Sequence, residues 1–534
     1  MYIFILIYLI YVFYRSRNSL YMLQQNLYNE NNRYLKWIIR NKEKCFCAID
    51  FLPFLLSIFT FFTKESFVME TIYLSITLIY IIGIYDEYKY NLNKQVKIKF
   101  SITSRIKRLY ITEFIIIGLL ITFLLLTNFS GIFLVLLLLT VACNYHFIYL
   151  VKLINTPVEK MVYYYYFKMA KDKLKNMNNL NVIGITGSYG KTTSKNILSH
   201  VLSSKYITKP TPKNLNTPYG LMITVNNHLD KFDEILVAEM GAYVKGEIKT
   251  MCDFVKPKYA ILTTIGEAHL ETFKSKDNIC EAKFELVESL PSDGVCVLNS
   301  DDPCQINYVN KKLKNKVKII WISINNPDSD FQALNIKCDK RGTNFDILHE
   351  GKKYHVETKL LGKHNVYNIL ASVALGNYLN ISLPVMISKI KTIPQVEHRL
   401  ELKQLNNITM LDDAYNSNPT GAKNALEVLK MMDGIKVVVT PGMIELGDKE
   451  ESLNYEFGSL ISKVADYVIL IGHEKTKMIK KGILDNNFKE DKIIVLNKVV
   501  DAYRELENIK SKHQELEVTA LFENDLPDIY NERS

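Results

Sequence analysis

The apolar stretch Val182–Thr186 runs directly into Gly187-Ser188-Tyr189-Gly190-Lys191-Thr192-Thr193, and helical periodicity follows. That order demands a strand, a tight turn and a helix as one unit. The glycines let backbone N–H groups turn inward onto phosphate oxygens, and the helix N-terminus adds its positive end. Lys191 suits the outer phosphates of a nucleotide and the Thr192 hydroxyl suits Mg²⁺. The pattern G-x-x-G-K-T is a short form of the common phosphate loop. Its specificity comes from the strand before it and the helix after it.

A chain committed to this unit should continue as an α/β sheet. Ile235–Glu239, Ala260–Ile265, Gly294–Asn299 and Lys318–Ile324 read as further strands with helices between several of them, the signature of a parallel α/β domain. A second series follows at Thr409–Asp412, Lys436–Thr440, Tyr467–Ile471, Lys492–Leu496 and Glu517–Phe522. The 534 residues leave room for three to four domains at roughly 150 residues each. We expect a nucleotide-binding central domain over 181–393 and a Rossmann-like C-terminal domain over 394–534, with no internal repeat.

The first 150 residues differ. Apolar runs lie at about 1–14, 46–63, 67–84, 110–126 and 130–151. A spanning helix needs about 20 apolar residues. The first run is short, but no small-residue cleavage site follows it, so a signal peptide is disfavoured. We expect an α-helical transmembrane region over 1–153 with about five spans, then a helical connector over 154–180 that carries the run Tyr163–Tyr166 at the membrane surface. The loops 15–45 and 85–109 are rich in Lys and Arg, whereas the turn at 64–66 holds only Lys64. Basic loops stay inside, so everything after Lys152 is expected in the cytoplasm. Asp50, Glu70 and Glu113 fall near span ends and read as interfacial carboxylates, with a substrate path through the spans as the alternative.

Charge and cysteine usage exclude two classes. Residues 1–160 carry 17 basic and 9 acidic side chains, which is most of the net +10. A basic excess that flanks apolar runs points to a membrane and not to nucleic acid. The eight cysteines include no C-x-x-C pair, so they form no zinc ribbon and read as reduced thiols.

Other residues gain weight from the sheet edge they share. Glu239 ends a strand in the crevice where α/β proteins bind ligands, which makes it a candidate Mg²⁺ ligand. His269 emerges from the same edge, and Lys283 lies fourteen residues further on.

From about 181 to 530 the chain resembles the Mur ligase family. The matching runs are Gly184–Thr193, Asn214–Thr217, Ala238–Ala242, Glu267–Leu270, Ala282-Lys283, Leu298–Pro303, Gly362–Asn368, Glu397–Glu401, Asp412–Pro419 and Pro441–Gly447. Their order and spacing agree with the family.

The resemblance implies an ATP-dependent peptide ligase of the cell membrane. It would add D-alanyl-D-alanine to a UDP-linked muramoyl tripeptide, in the peptidoglycan synthesis that serves cell shape and division. It implies that Gly187, Ser188, Tyr189, Gly190, Lys191, Thr192 and Thr193 hold the phosphates, and that Asn365 and Asn368 line the adenine pocket. Two Mg²⁺ ions would be held by Thr192, Glu239 and His269, with Lys283 carbamylated to support them. Arg399 and Asp413 would close on the γ-phosphate and ribose. Asn214, Asn216, Thr217, Tyr415, Asn416 and Asn418 would place the substrates. The mechanism implied is attack of a carboxylate on the γ-phosphate, then of an amine on the resulting acyl phosphate, with Lys191, Lys283, His269 and Arg399 as the catalytic set.

Departures from the family pattern are the membrane region in place of a UDP-binding domain, Thr264 in place of an asparagine and Lys213 in place of a glycine. They leave open a related ligase acting on a lipid-linked or other carboxylate, with membrane proteins of cell-wall synthesis as partners. A scaffold with an inactive ligase fold is disfavoured by the intact Lys191, Glu239, His269, Lys283 and Arg399.

Overall fold

A computed structural model of the chain describes residues 2–62, 65–93, 100–127, 131–266, 270–313, 317–414, 417–444 and 446–524. The chain divides into two compact units, Met1–Tyr165 and Tyr166–Leu526.

The first unit is helical. Its main helices are Tyr2–Gln25, Ala48–Ile58, Ser66–Asn93, Ser104–Leu126, Gly131–Ala142 and the start of Asn144–Lys175. By length and composition, two segments are apolar enough to cross a membrane, Phe67–Lys89 and Ser104–Leu126. The pair Gly131–Ala142 and Asn144–Lys175, bent by 96°, makes a third if counted as one span. The five apolar runs therefore give two or three full-length candidates among the described residues. The run at 46–63 gives only a short helix with Pro53 inside it. Tyr2–Gln25 mixes its apolar residues with Arg15, Arg17, Asn18 and two glutamines.

Two carboxylates are placed differently from the interfacial reading. Asp50 and Glu113 are fully buried, whereas Glu70 is exposed. A buried carboxylate needs partners. Arg15 Nη2 lies 2.5 Å from Asp50 Oδ2, and the Tyr11 hydroxyl donates to Asp50 at 2.6 Å. The Ser16 hydroxyl donates to Glu113.

The second unit holds two sheets. The first contains β1 (Asn181–Thr186), β2 (Thr208–Pro210), β3 (Ile235–Glu239), β4 (Tyr259–Leu262), β5 (Val295–Asn299), β6 (Lys318–Ser323), β7 (Phe331–Asp339), β8 (Gly342–His349) and β9 (Lys352–Thr358). Their order is β2-β3-β1-β4-β5-β6-β7-β8-β9. The pairs from β2 to β7 are parallel, and β8 runs antiparallel to both neighbours. β1, β3, β4 and β5 are buried along almost their whole length, as apolar strands covered on both faces must be. The helix Lys363–Tyr378 supplies Val366, Ile369, Leu370 and Val373 to this core. Each such buried side chain contributes about 1.5–3 kcal/mol.

The second sheet contains β10 (Glu401–Leu405), β11 (Ile408–Asp413), β12 (Ile435–Thr440), β13 (Tyr467–Ile471), β14 (Ile493–Leu496) and β15 (Val518–Glu523), ordered β10-β11-β15-β12-β13-β14. All its pairs are parallel except β10 with β11. Both sheets are thus mixed: the strands expected from the sequence pair in parallel, and each antiparallel pair involves a strand it did not mark. The strands that make the antiparallel pairs, β7–β9 and β10, are half-solvated and mix apolar with polar residues. They lack the continuous apolar runs that marked the other strands.

Candidate functional site

β1 lies between β3 and β4, so three strand ends meet beside the glycine loop. The loop turns at Gly187 (φ 151°) and Gly190 (φ 79°), and Gly190 precedes the first residue of the helix Lys191–Leu202. A side chain at Gly187 would strike the Thr263 hydroxyl, and one at Gly190 would press on the Asn368 amide. The Ser188 amide donates to Thr264 O at 2.9 Å, which ties the loop to the segment after β4. Thr264 serves here through its backbone.

Lys191 is folded back on its own loop, donating to Gly187 O (2.8 Å) and Ser188 O (3.1 Å). Burial pushes its ammonium down to about 8; Glu239 opposes the shift and Arg399 adds to it. The Thr192 hydroxyl donates to Glu239 Oε1 at 3.1 Å, and Asn216 Nδ2 donates to the same oxygen at 2.9 Å. Lys195 Nζ reaches Glu239 Oε2 at 2.9 Å and Lys213 O at 2.6 Å. Burial would raise the Glu239 carboxyl, but Lys195, Lys191 and the Asn216 amide hold it below its usual range. Lys213 itself sits in the left-handed region at φ 46°, the conformation for which a glycine is suited.

Lys283, on the helix Lys276–Glu288, is 3% exposed, and burial followed by the Lys191 charge brings its amine down to about 7. Its Nζ stands 5.6 Å from the centre of the Phe273 ring. The amine is therefore partly neutral at pH 7, the form that can act as a nucleophile toward CO₂.

These groups open on one cavity of about 280 Å³. Its walls include all seven loop residues Gly187–Thr193, with Asn214, Asn216, Thr217, Glu239 and Lys283. Asn368 and His364 line it from the helix Lys363–Tyr378, and Arg399, Asp413 and Asn418 from around the second sheet. Asn365 stands one layer behind. It is buried, its Nδ2 donates to Leu361 O (2.8 Å), and its Oδ1 accepts from Asn368 Nδ2 (3.3 Å). Asn418 caps the helix Pro419–Lys430 through Gly421 N at 2.7 Å. His269, Tyr415 and Asn416 lie outside the described residues.

The cavity fits a nucleotide triphosphate on its own geometry. The glycine loop leaves room for phosphate oxygens where any Cβ would intrude. The buried Nδ1 of His364 has no hydrogen-bond partner among the described residues, and burial holds this ring near a pKa of 4, hence neutral. A buried polar atom without a partner is costly unless a ligand satisfies it. The oxygens of Thr192 and Glu239 converge as a hard cation such as Mg²⁺ requires.

Sequence reading passed over Lys195, His364 and Glu523. Lys195 lies one turn after Lys191 on the same helix face, and the motif offered no reason to single it out. His364 falls inside the matched run Gly362–Asn368 but carries no signal alone. Glu523 ends β15 and becomes visible only through the strand order.

Residues 185–376 match the model of the Mur ligase middle domain, and residues 398–516 match that of the Mur ligase, glutamate ligase domain. The UDP-N-acetylmuramoyl-tripeptide–D-alanyl-D-alanine ligase of Bacillus subtilis (strain 168) is 33% identical over 330 residues, covering 61% of this chain and 69% of that protein. The enzyme of the same name from Escherichia coli (strain K12) is 31% identical over 295 residues, covering 55% of this chain and 65% of that protein. Among solved structures, MurF from Acinetobacter baumannii aligns with a TM-score of 0.61 at 28% identity, over 67% of this chain and 77% of that one. A MurF ligase from Thermotoga maritima in complex with ADP aligns with a TM-score of 0.59 at 25% identity, over 68% and 80%.

Proposed function

Because the chain belongs to the Mur ligase family, we propose that it adds D-alanyl-D-alanine to UDP-N-acetylmuramoyl-tripeptide in peptidoglycan precursor synthesis, cleaving ATP to ADP and phosphate. One observation carries this reading: the glycine loop, Glu239 and Lys283 face Arg399 and Asp413 across a single cavity between two sheets.

The loop amides would hold the phosphates, and Lys191 would leave Gly187 O and Ser188 O for the outer ones. Asn368 and His364 would border the base, and Asp413 the ribose. Thr192, Glu239 and His269 are the residues to hold Mg²⁺. Two such ions supply positive charge that lets one anion approach another. Lys191 and Arg399 add to that charge where it develops.

The substrate carboxylate attacks the γ-phosphorus and ADP leaves. The amine of the dipeptide then attacks the acyl carbon, loses a proton, and phosphate departs. Asn214, Asn216 and Thr217 would place the first substrate, and the 415–418 segment the second. Lys283 would be carbamylated: its neutral nitrogen adds to CO₂ and releases a proton, turning a buried cation into an anion beside the metal site.

We read the helical unit as a multi-pass membrane bundle of about five segments, with the ligase domains in the cytoplasm. Exposed Leu74, Leu78, Ile81, Ile111, Ile115 and Leu119 on the two full-length candidates support this. The same apolar surface favours a second reading, in which the acceptor is lipid-linked and meets the enzyme at the membrane. Membrane proteins of cell-wall synthesis would then be its neighbours.

Full-length protein in detergent tests these readings. Phosphate release that needs both UDP-N-acetylmuramoyl-tripeptide and D-alanyl-D-alanine, and that Lys191→Ala abolishes, supports the first. Release that needs a lipid-linked muramoyl peptide in place of the UDP-linked one, again with the dipeptide, supports the second. ATP binding without turnover on either acceptor refutes both.

A further inference from the structure

We propose that Glu523, the last residue of β15, is a positioning residue for the nucleotide site, bracing Asp413 and Ser417 from behind the cavity wall. The proposal rests on the reading of this cavity as the ATP site.

Parallel register sets Asp413 of β11 directly opposite Glu523. Asp413 and Ser417 line the cavity, whereas Glu523 is 1% exposed and does not reach it. Glu523 Oε1 accepts from the Ser417 hydroxyl at 2.6 Å. Its Oε2 has no donor among the described residues, and the neighbouring carboxyl is that of Asp413, set beside it by the strand register. Two acceptors in contact inside a protein require a proton between them. Burial and the Asp413 charge push the Glu523 carboxyl well above its usual range, so Glu523 is the partner that keeps the proton. Arg399 draws on both carboxyls, and Asp412 repels Asp413 from the neighbouring position.

Glu523 is thus a neutral acid that donates to Asp413 and accepts from Ser417. The arrangement leaves Asp413 Oδ1 to accept the Leu400 amide (3.3 Å), next to Arg399. The next residue extends the brace. Asn524 Oδ1 accepts the Ser417 amide (3.3 Å), and its Nδ2 donates to Gly442 O (2.6 Å). One strand end therefore fixes the loops that follow both β11 and β12. An acid that merely filled the core would need no such pair of cavity-lining partners.

The test compares Glu523→Gln with Glu523→Leu in the full chain. Glutamine can still donate to Asp413 and accept from Ser417; leucine keeps the bulk and loses both bonds. We expect Glu523→Gln to stay within about three-fold of wild type in ATP affinity. Glu523→Leu should weaken ATP binding about ten-fold or more, the usual effect of stranding a buried partner. Acceptor KM should stay near wild type in both.

Wild-type ATP KM should rise at alkaline pH as the shared proton is lost, and the Glu523→Gln profile should lack that rise. Lys191 titrates in both proteins, so the difference between the profiles is the readout. Should Glu523→Leu fail to fold, Ser417→Ala removes one brace bond and should raise ATP KM about three-fold. Wild-type ATP binding by Glu523→Leu, or equal damage from Gln and Leu, overturns the proposal. Undiminished ATP binding by Lys191→Ala would instead refute the site reading itself.

Discussion

Replacing Gly187 by alanine should disable the nucleotide site far more than the same change at Gly246, although both glycines have positive φ. Alanine at φ 92° (Gly246) meets nothing within 4 Å, so only backbone strain applies, about 1–3 kcal/mol. Alanine at φ 151° (Gly187) carries that strain and also places its Cβ 1.9 Å from Thr263 Oγ1 and 3.1 Å from the Thr263 carbonyl carbon. The Thr263 hydroxyl would have to leave its 2.5 Å bond to Tyr189 O. Losing such a buried bond costs about 1–3 kcal/mol. The excess at Gly187 is therefore about 2 kcal/mol, and because it displaces the loop itself, ATP affinity should fall by more than ten-fold. Denaturant unfolding without nucleotide gives the stability difference, and titration with ATP gives the affinity. The double variant Gly187→Ala/Thr263→Ala should recover part of the stability by removing the hydroxyl in the way. If Gly187→Ala unfolds no more easily than Gly246→Ala and binds ATP normally, the cradle geometry is wrong.

Two further outcomes follow from the same site and a third from the basic loops of the first unit. Thr192→Val should raise the Mg²⁺ concentration needed for half-maximal turnover by roughly ten-fold or more, since it removes one hard oxygen donor; an unchanged Mg²⁺ curve would contradict that role. Lys283, held near 7 in the folded state and ordinary when unfolded, binds fewer protons folded than unfolded between about pH 7 and the ordinary lysine value of 10.5. Folding stability without nucleotide or CO₂ should therefore rise with pH across that window. Lys283→Met should lack this component, and denaturant midpoints at pH 7 and 9 that shift identically in both proteins would refute it. A reporter fused at the C-terminus should read as cytoplasmic, and an extracytoplasmic signal would reverse the orientation drawn from the basic loops.

Strands buried on both faces announced themselves in the sequence. Ile235–Glu239 and Tyr467–Ile471 have the predicted bounds, because their continuous apolar runs end at polar turns. β7 to β9 and β10 mix apolar with polar residues, and Lys352-Lys353 opens an edge strand that reads locally as a solvated loop. The phosphate loop was legible because its chemistry sits in seven consecutive residues. Lys195 and Glu523 were not, because a lysine inside a helix or a glutamate at a strand end has many ordinary explanations. Only the fold turns Lys195 onto Glu239 and sets β15 between β11 and β12. Apolar runs located the helices of the first unit, but run length alone did not separate full spans from a short helix broken by Pro53. Nor did it show that Asp50 would be buried against Arg15.

The central claim is that the cavity lined by Gly187–Thr193, Glu239, Lys283, Arg399 and Asp413 activates a carboxylate as an acyl phosphate. The direct measurement uses an acceptor whose terminal carboxylate is labelled with heavy oxygen on both atoms. Attack on the γ-phosphorus carries one labelled oxygen into the released phosphate and leaves the other in the new amide. The account predicts that distribution by mass spectrometry, with no label in phosphate from Lys191→Ala. Amide formed with unlabelled phosphate, or with the label in AMP, would contradict it.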